Sequence, residues 1–217
     1  MEIIDSVTEQ TTAATDAVLG ILSLACAVFL YRIGENKRWK ANLWVWVFGL
    51  LATASFFGAV AHGFKMSKEL NTALWYPLNL SLGLLVGFIL VGVVYDIWGE
   101  VRARRVLPIM ALVGVGFFIF TQIFPDSFLV FIIYEALVLI FAMGAYIRLG
   151  AKARLAGAWF MVGGILLSIA AAVVQATNLF SFTFIWSFDH NGVFHLIQMV
   201  AVLFLFLGLK KSMRTIV

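Results

Sequence analysis

The stretch from residue 73 to residue 98 reads ALWYPLNLSLGLLVGFILVGVVYDIW and decides the fold class. Asp96 is its only charged residue. A helix of this length rises roughly 39 Å, which exceeds the roughly 30 Å thickness of the hydrocarbon core of a bilayer. The stretch therefore predicts a transmembrane helix.

Six further apolar stretches have the length of a membrane span. Hydrophobic residues make up 63% of the 217-residue chain and charged residues only 12%, with a mean hydropathy of +1.04. The loops between the stretches are short, and no polar linker separates a second domain. We expect an all-α integral membrane protein in which residues 1–217 form one seven-helix transmembrane bundle. The predicted helices are 16–33, 41–64, 73–98, 106–124, 127–148, 155–177 and 188–209.

The basic residues alternate between the loops and predict the direction of the spans. Of the 15 Lys and Arg residues, only Lys65 and Lys68 lie in the loop between the second and third predicted helices. All others lie near the alternate loops or in the C-terminal tail, on the opposite side of the membrane. The positive-inside rule therefore predicts an N-terminus outside and a C-terminus in the cytoplasm. The net charge of +4 reflects this topology and predicts no nucleic-acid partner. We expect a multi-pass protein of the plasma (inner) membrane or of an endomembrane.

Polar residues gather in the outer half of the predicted spans. Such residues are costly in hydrocarbon and usually face the interior of a bundle or a cavity. Their similar depth on several helices predicts a functional layer that faces the extracytoplasmic or lumenal side. Its members include all three histidines and a set of polar and acidic residues: Ser55, His62, Asn79, Gln122, Glu135, Gln175, Asp189, His190, Asn191, His195 and Gln198.

Helical spacing sorts the polar residues of the last span. At about 100° per residue, Asn191, His195 and Gln198 share one face, whereas His190 joins them only if it precedes the regular helix. Asp189 is placed to cap the helix N-terminus. We expect Asn191 and Gln198 to line a cavity together with Asn79, Gln122 and Gln175.

Acidic positions in or beside the spans receive different interpretations. Glu135 is a lone carboxylate in an apolar span, which favours a neutral form or a cationic or metal partner. We expect it to face the interior and to share the polar layer with His62 and His195. Asp96 and Glu100 lie at the inner end beside Arg102, Arg104 and Arg105 and are interpreted as ordinary interfacial partners of those residues.

The arrangement of the histidines resembles the superfamily of alkaline ceramidases and adiponectin receptors. In that family, Ser-x-x-x-His on helix 2, Asp near the start of helix 3 and His-x-x-x-His on helix 7 hold a zinc ion. The matching stretches here run from Ser55 to His62 and from Asp189 to His195. Gly58 stands in the place of the family's serine, Asn191 replaces the first histidine of helix 7, and no aspartate begins helix 3.

The resemblance implies a zinc-dependent intramembrane hydrolase of a lipid amide or ester, with membrane lipid as its partner. Zinc with an open coordination position activates water and polarises a carbonyl. The implied metal ligands are His62, His195, His190 and Asp189, with Glu69 or Glu135 as alternative carboxylates. Glu135 and Ser55 are the candidate catalytic residues.

Two other classes of function stay open. One is a non-enzymatic, receptor-like bundle that binds a lipid or small ligand. The other is a proton- or ion-conducting protein that uses Glu135 and the histidines. A retinal protein is disfavoured because the last span has no lysine between His195 and Leu209.

Overall fold

The computed structural model describes residues 2–124 and 128–214. The described residues form seven α-helices, each long and apolar enough to cross a membrane. Two-residue strands pair as β1 with β2 and as β3 with β4, both antiparallel. The elements are β1 Glu2–Ile3, α1 Val7–Ile33, α2 Arg38–Gly63, β2 Phe64–Lys65, α3 Lys68–Trp98, α4 Glu100–Ile123, α5 Phe128–Ala151, α6 Ala158–Thr177, β3 Phe182–Thr183, β4 Ser187–Phe188 and α7 His190–Arg214.

The predicted spans are confirmed as helices, but several boundaries were wrong. α1 begins at Val7, where the prediction had residue 16, and α3 begins at Lys68, where it had residue 73. Hydropathy located the apolar part of each helix and missed the polar first turns. Those turns are helical because Ser6 and Ser67 cap them with their hydroxyl oxygens. The predicted start of the fifth helix, residue 127, lies outside the described residues.

Six of the seven helices surround a common interior, and α4 packs outside them. The neighbours around the ring are α1, α2, α3, α5, α6 and α7, while α4 packs mainly on α3. Small residues permit the closest helix pairs. A Cβ atom on Gly83 of α3 would lie 2.7 Å from the carbonyl oxygen of Gly114 of α4. A Cβ atom on Gly157, which precedes α6, would overlap the carbonyl oxygen of Gly208 of α7.

The two ends of the bundle differ in charge. We call the end at which α1, α3 and α7 begin the mouth end, and the opposite end, where most of the basic residues lie, the basic end. The interpretation of Asp96 as a partner of the nearby arginines was wrong. Asp96 Oδ1 instead accepts a bond from Lys40 Nζ of α2 at 2.5 Å. The same interpretation of Glu100 is confirmed, because Glu100 pairs with Arg104 one helical turn away.

Candidate functional site: a central cavity with a buried histidine and aspartate

A cavity of about 740 Å³ occupies the interior of the bundle. Along α2 its lining runs from Trp44 to His62, and these 18 residue steps at about 1.5 Å each span roughly 27 Å. The half toward the basic end is lined mainly by apolar side chains. The half toward the mouth end carries the polar ones. The cavity is therefore long and amphipathic.

The structure brings ten of the eleven predicted site residues to this one cavity. The three residues of the predicted α7 face, Asn191, His195 and Gln198, all line it, and so does Glu135 of α5. Asp189 does not line it. The remaining six of the ten predicted residues that line the cavity are Ser55, His62, Asn79, Gln122, Gln175 and His190.

His195 is held by two side chains of α1. Its Nδ1 atom lies 2.9 Å from Thr15 Oγ1, and its Nε2 atom lies 3.2 Å from Asp16 Oδ1. The side chains of His195 and Asp16 are each only 8% exposed. The pair therefore lies away from bulk solvent and within the cavity lining.

The other contacts of the Thr15 hydroxyl indicate which atom donates in its hydrogen bond with the His195 ring. The hydroxyl also lies 3.0 Å from the carbonyl oxygen of Thr11 and 2.9 Å from that of Thr12, and carbonyl oxygens can only accept. The hydroxyl proton is therefore assigned to a carbonyl, and the hydroxyl oxygen accepts from Nδ1–H of His195. Nε2 is then the ring atom that faces Asp16 Oδ1, at 3.2 Å.

Gly58 of α2 provides the space that the Asp16 carboxylate occupies. A Cβ atom at residue 58 would lie 2.6 Å from Asp16 Oδ2 and 3.0 Å from its Cγ atom. Such contacts are too short for any side chain to be added without moving the carboxylate. The glycine on α2 and the aspartate on α1 thus form one local arrangement.

The second histidine of the cavity bonds to a different acid. His62 Nδ1 lies 2.6 Å from Glu9 Oε2, and the ring meets Trp75 edge-on with centroids 5.7 Å apart. The side chains of His62 and Glu9 are both partly exposed. His62 therefore lies nearer the mouth of the cavity than His195 does.

Asp189 has a structural role at the start of α7. Its Oδ1 atom accepts from the backbone N–H of Gly192 at 2.9 Å and from the Thr12 hydroxyl at 3.0 Å. The first of these bonds is the N-terminal cap that the sequence predicts. The second ties α7 to α1. Beside it, the Gln175 amide donates to Asn191 Oδ1 at 3.3 Å.

The predicted zinc ligands do not form a complete coordination sphere in this arrangement. Among the described residues, no group of three or more His, Cys, Asp or Glu side chains could hold a metal ion. His62 bonds to Glu9, His195 to Asp16, and Asp189 caps α7. Zinc binding stays a prediction.

The sequence reasoning missed the contribution of α1. Glu9, Thr12, Thr15 and Asp16 all bond to residues of the polar layer. Their spacing was a signal, because positions i, i+3 and i+7 lie on one face of a helix. It went unread because the first helix was predicted to start at residue 16.

The comparisons with known proteins place the chain in a family. Residues 11–214 match the model of a family of unknown function, DUF6962. No curated protein and no solved structure matches the chain. The matched range contains all seven helices except the first turn of α1, so the cavity and most of its lining lie within it. The chain thus belongs to the family DUF6962.

Proposed function

We propose that the protein binds one long amphipathic lipid, or a small molecule of similar shape, in the central cavity. The observation that carries the proposal is the division of a single cavity of about 740 Å³ into an apolar half and a half lined by polar side chains. This volume falls in the range of about 300–1,000 Å³ that is typical of small-molecule sites. Membrane lipid is the natural source of such a ligand.

The two halves of the cavity suit the two parts of a lipid. Apolar side chains such as Val47, Phe48 and Leu51 line the inner half and would cover an acyl chain. The amides of Asn79 and Gln198 supply donors and acceptors for a polar headgroup. The ligand would lie with its headgroup toward the mouth end. We further propose that the mouth end faces the extracytoplasmic or lumenal side, as the distribution of Lys and Arg predicts.

Hydrolysis of the bound lipid is a second candidate function, and the buried His195–Asp16 pair favours it. The Asp16 carboxylate, which the His195 ring contacts, is a group that can take a proton from water and deliver it to a leaving group. An amide or ester bond at the junction of headgroup and chain would lie at the depth of this pair.

Filling the cavity tests the binding proposal. Ser55 of α2 lines the cavity, whereas Thr53 on the same helix is exposed. Ser55→Phe and Thr53→Phe therefore add the same ring inside and outside the bundle. Lipids that remain with the purified protein after delipidation are extracted and identified by mass spectrometry.

We expect the wild type and Thr53→Phe to retain one lipid class and Ser55→Phe to lose it. Equal retention by all three proteins would reject the cavity as the binding site. If the lipid extracted from the wild type is intact, the result supports binding without hydrolysis. The hydrolase candidate requires free fatty acid to appear when that lipid is added, and requires His195→Ala to stop its release.

A further inference from the structure

An exposed apolar hairpin connects α6 to α7 at the mouth end. Residues 179–188 read LFSFTFIWSF and contain no charged side chain. The tip consists of Phe184, Ile185 and Trp186, which are 83%, 70% and 62% exposed. Three consecutive large apolar residues in such positions are unusual on a surface that meets only water. They indicate an apolar or interfacial environment.

The base of the hairpin is fixed, so its tip is held in a defined place. β3 pairs with β4 in the register Phe182↔Phe188 and Thr183↔Ser187. The rings of Phe182 and Phe188 stack at 4.8 Å, and the hydroxyls of Thr183 and Ser187 are 3.1 Å apart. β4 packs against α1 and α7. The exposed tip thus projects from an ordered base.

The position of the hairpin argues for lipid as its partner. It joins the end of one helix that can span a membrane to the start of the next, so it begins and ends near the level of the bilayer surface. Leu166 and Val173 on α6 are also exposed and apolar, and Leu179 and Phe180 continue that surface into the hairpin. Tryptophan is enriched at the membrane–water interface, which suits Trp186.

We infer that the tip of this hairpin inserts into the interfacial layer of the leaflet at the mouth end and contacts lipid. Side chains without charge give no electrostatic specificity for a protein partner, whereas aromatic and aliphatic side chains are what an interfacial segment presents to acyl chains and headgroups. The inference does not depend on the proposed function. It adds a lipid contact beside the cavity, because Gln175 and Asn178 at the hairpin's approach line the cavity.

Site-directed spin labelling of the full chain tests the insertion. Cys26, the one cysteine and a buried one, is replaced by Ala. Single labels are then placed at Phe184→Cys, Ile185→Cys and, as a control, Lys68→Cys, an exposed residue at the same end of the bundle. Each protein is reconstituted as one copy per phosphatidylcholine nanodisc. Collisions with oxygen, which concentrates in lipid, and with a water-soluble nickel complex are compared.

We expect the labels at 184 and 185 to collide several-fold more with oxygen and several-fold less with nickel than the label at 68. Nickel exposure equal to that of the control would place the tip in water and overturn the inference. Labels that are shielded from both reagents would place the tip against protein and overturn it equally. The two tip sites serve as replicates if one substitution disturbs the hairpin.

Discussion

The buried ion pair at the basic end allows a quantitative prediction. Lys40 Nζ contacts Asp96 Oδ1 at 2.5 Å and donates to Ser212 Oγ at 2.9 Å, while the Tyr146 hydroxyl donates to Asp96 Oδ2 at 3.0 Å. The side chains of Lys40 and Asp96 are 1% and 3% exposed. Four helices, α2, α3, α5 and α7, thus meet at one charged cluster.

Asp96→Asn removes the negative charge and leaves the Lys40 ammonium buried. Breaking a buried pair by removing one partner costs about 3–5 kcal/mol, and we expect the lower end, about 3 kcal/mol, because asparagine can still accept a bond from the lysine. Lys40→Met should cost a similar amount. The double variant should recover most of the loss, because neither charge is then left unpaired.

The control is Glu100→Gln at the same end of the bundle. The Glu100–Arg104 pair is exposed, and exposed pairs contribute only about 0.2–1 kcal/mol. Free energies of unfolding are measured by titrating dodecyl sulfate into neutral detergent micelles and following helicity by circular dichroism. A loss for Asp96→Asn no larger than that for Glu100→Gln, or strictly additive losses in the double variant, would refute this reasoning.

Three further changes probe the site. Gly58→Ala should displace the Asp16 carboxylate, since the added Cβ would lie 2.6 Å from Oδ2; such overpacking should lower the free energy of unfolding by about 1–3 kcal/mol, whereas Gly49→Ala, with nothing within 4 Å, should not lower it. Asp189→Ala should lower the free energy of unfolding by about 1 kcal/mol through loss of the cap, and Asp189→Asn should restore most of it in the same titration. Thr15→Val should cost about 1–3 kcal/mol by leaving the buried imidazole nitrogen without its partner, and an unchanged unfolding curve would contradict a contribution of that bond to stability.

The helices were predictable because the bilayer imposes a simple rule on sequence. A span needs about 20 apolar residues, and long apolar stretches such as 73–98 satisfy this without reference to other helices. The polar first turn of α3, which begins at Lys68, has no such signature. Its stability comes from the Ser67 cap, which hydropathy does not detect.

The cavity was partly predictable for the same reason. Polar residues such as His195 and Glu135 stand out within apolar stretches, and both line the cavity. Their partners on α1 were missed, because Asp16 and Thr15 lie near polar N-terminal turns that hydropathy does not mark as part of a span. Bond partners in a bundle depend on how helices rotate and cross, and one sequence does not fix those angles.

Gly58 and Asp16 connect two departures from the ceramidase-like pattern that look separate in the sequence. The superfamily of alkaline ceramidases and adiponectin receptors has a serine where Gly58 stands. It also has an aspartate at the start of helix 3 that this chain lacks. In the structure a carboxylate from α1 fills the space beside Gly58 and contacts His195. A side chain at residue 58 would exclude that carboxylate. The space that the missing side chain leaves at residue 58 and the position of the α1 carboxylate beside His195 are therefore one feature of the structure.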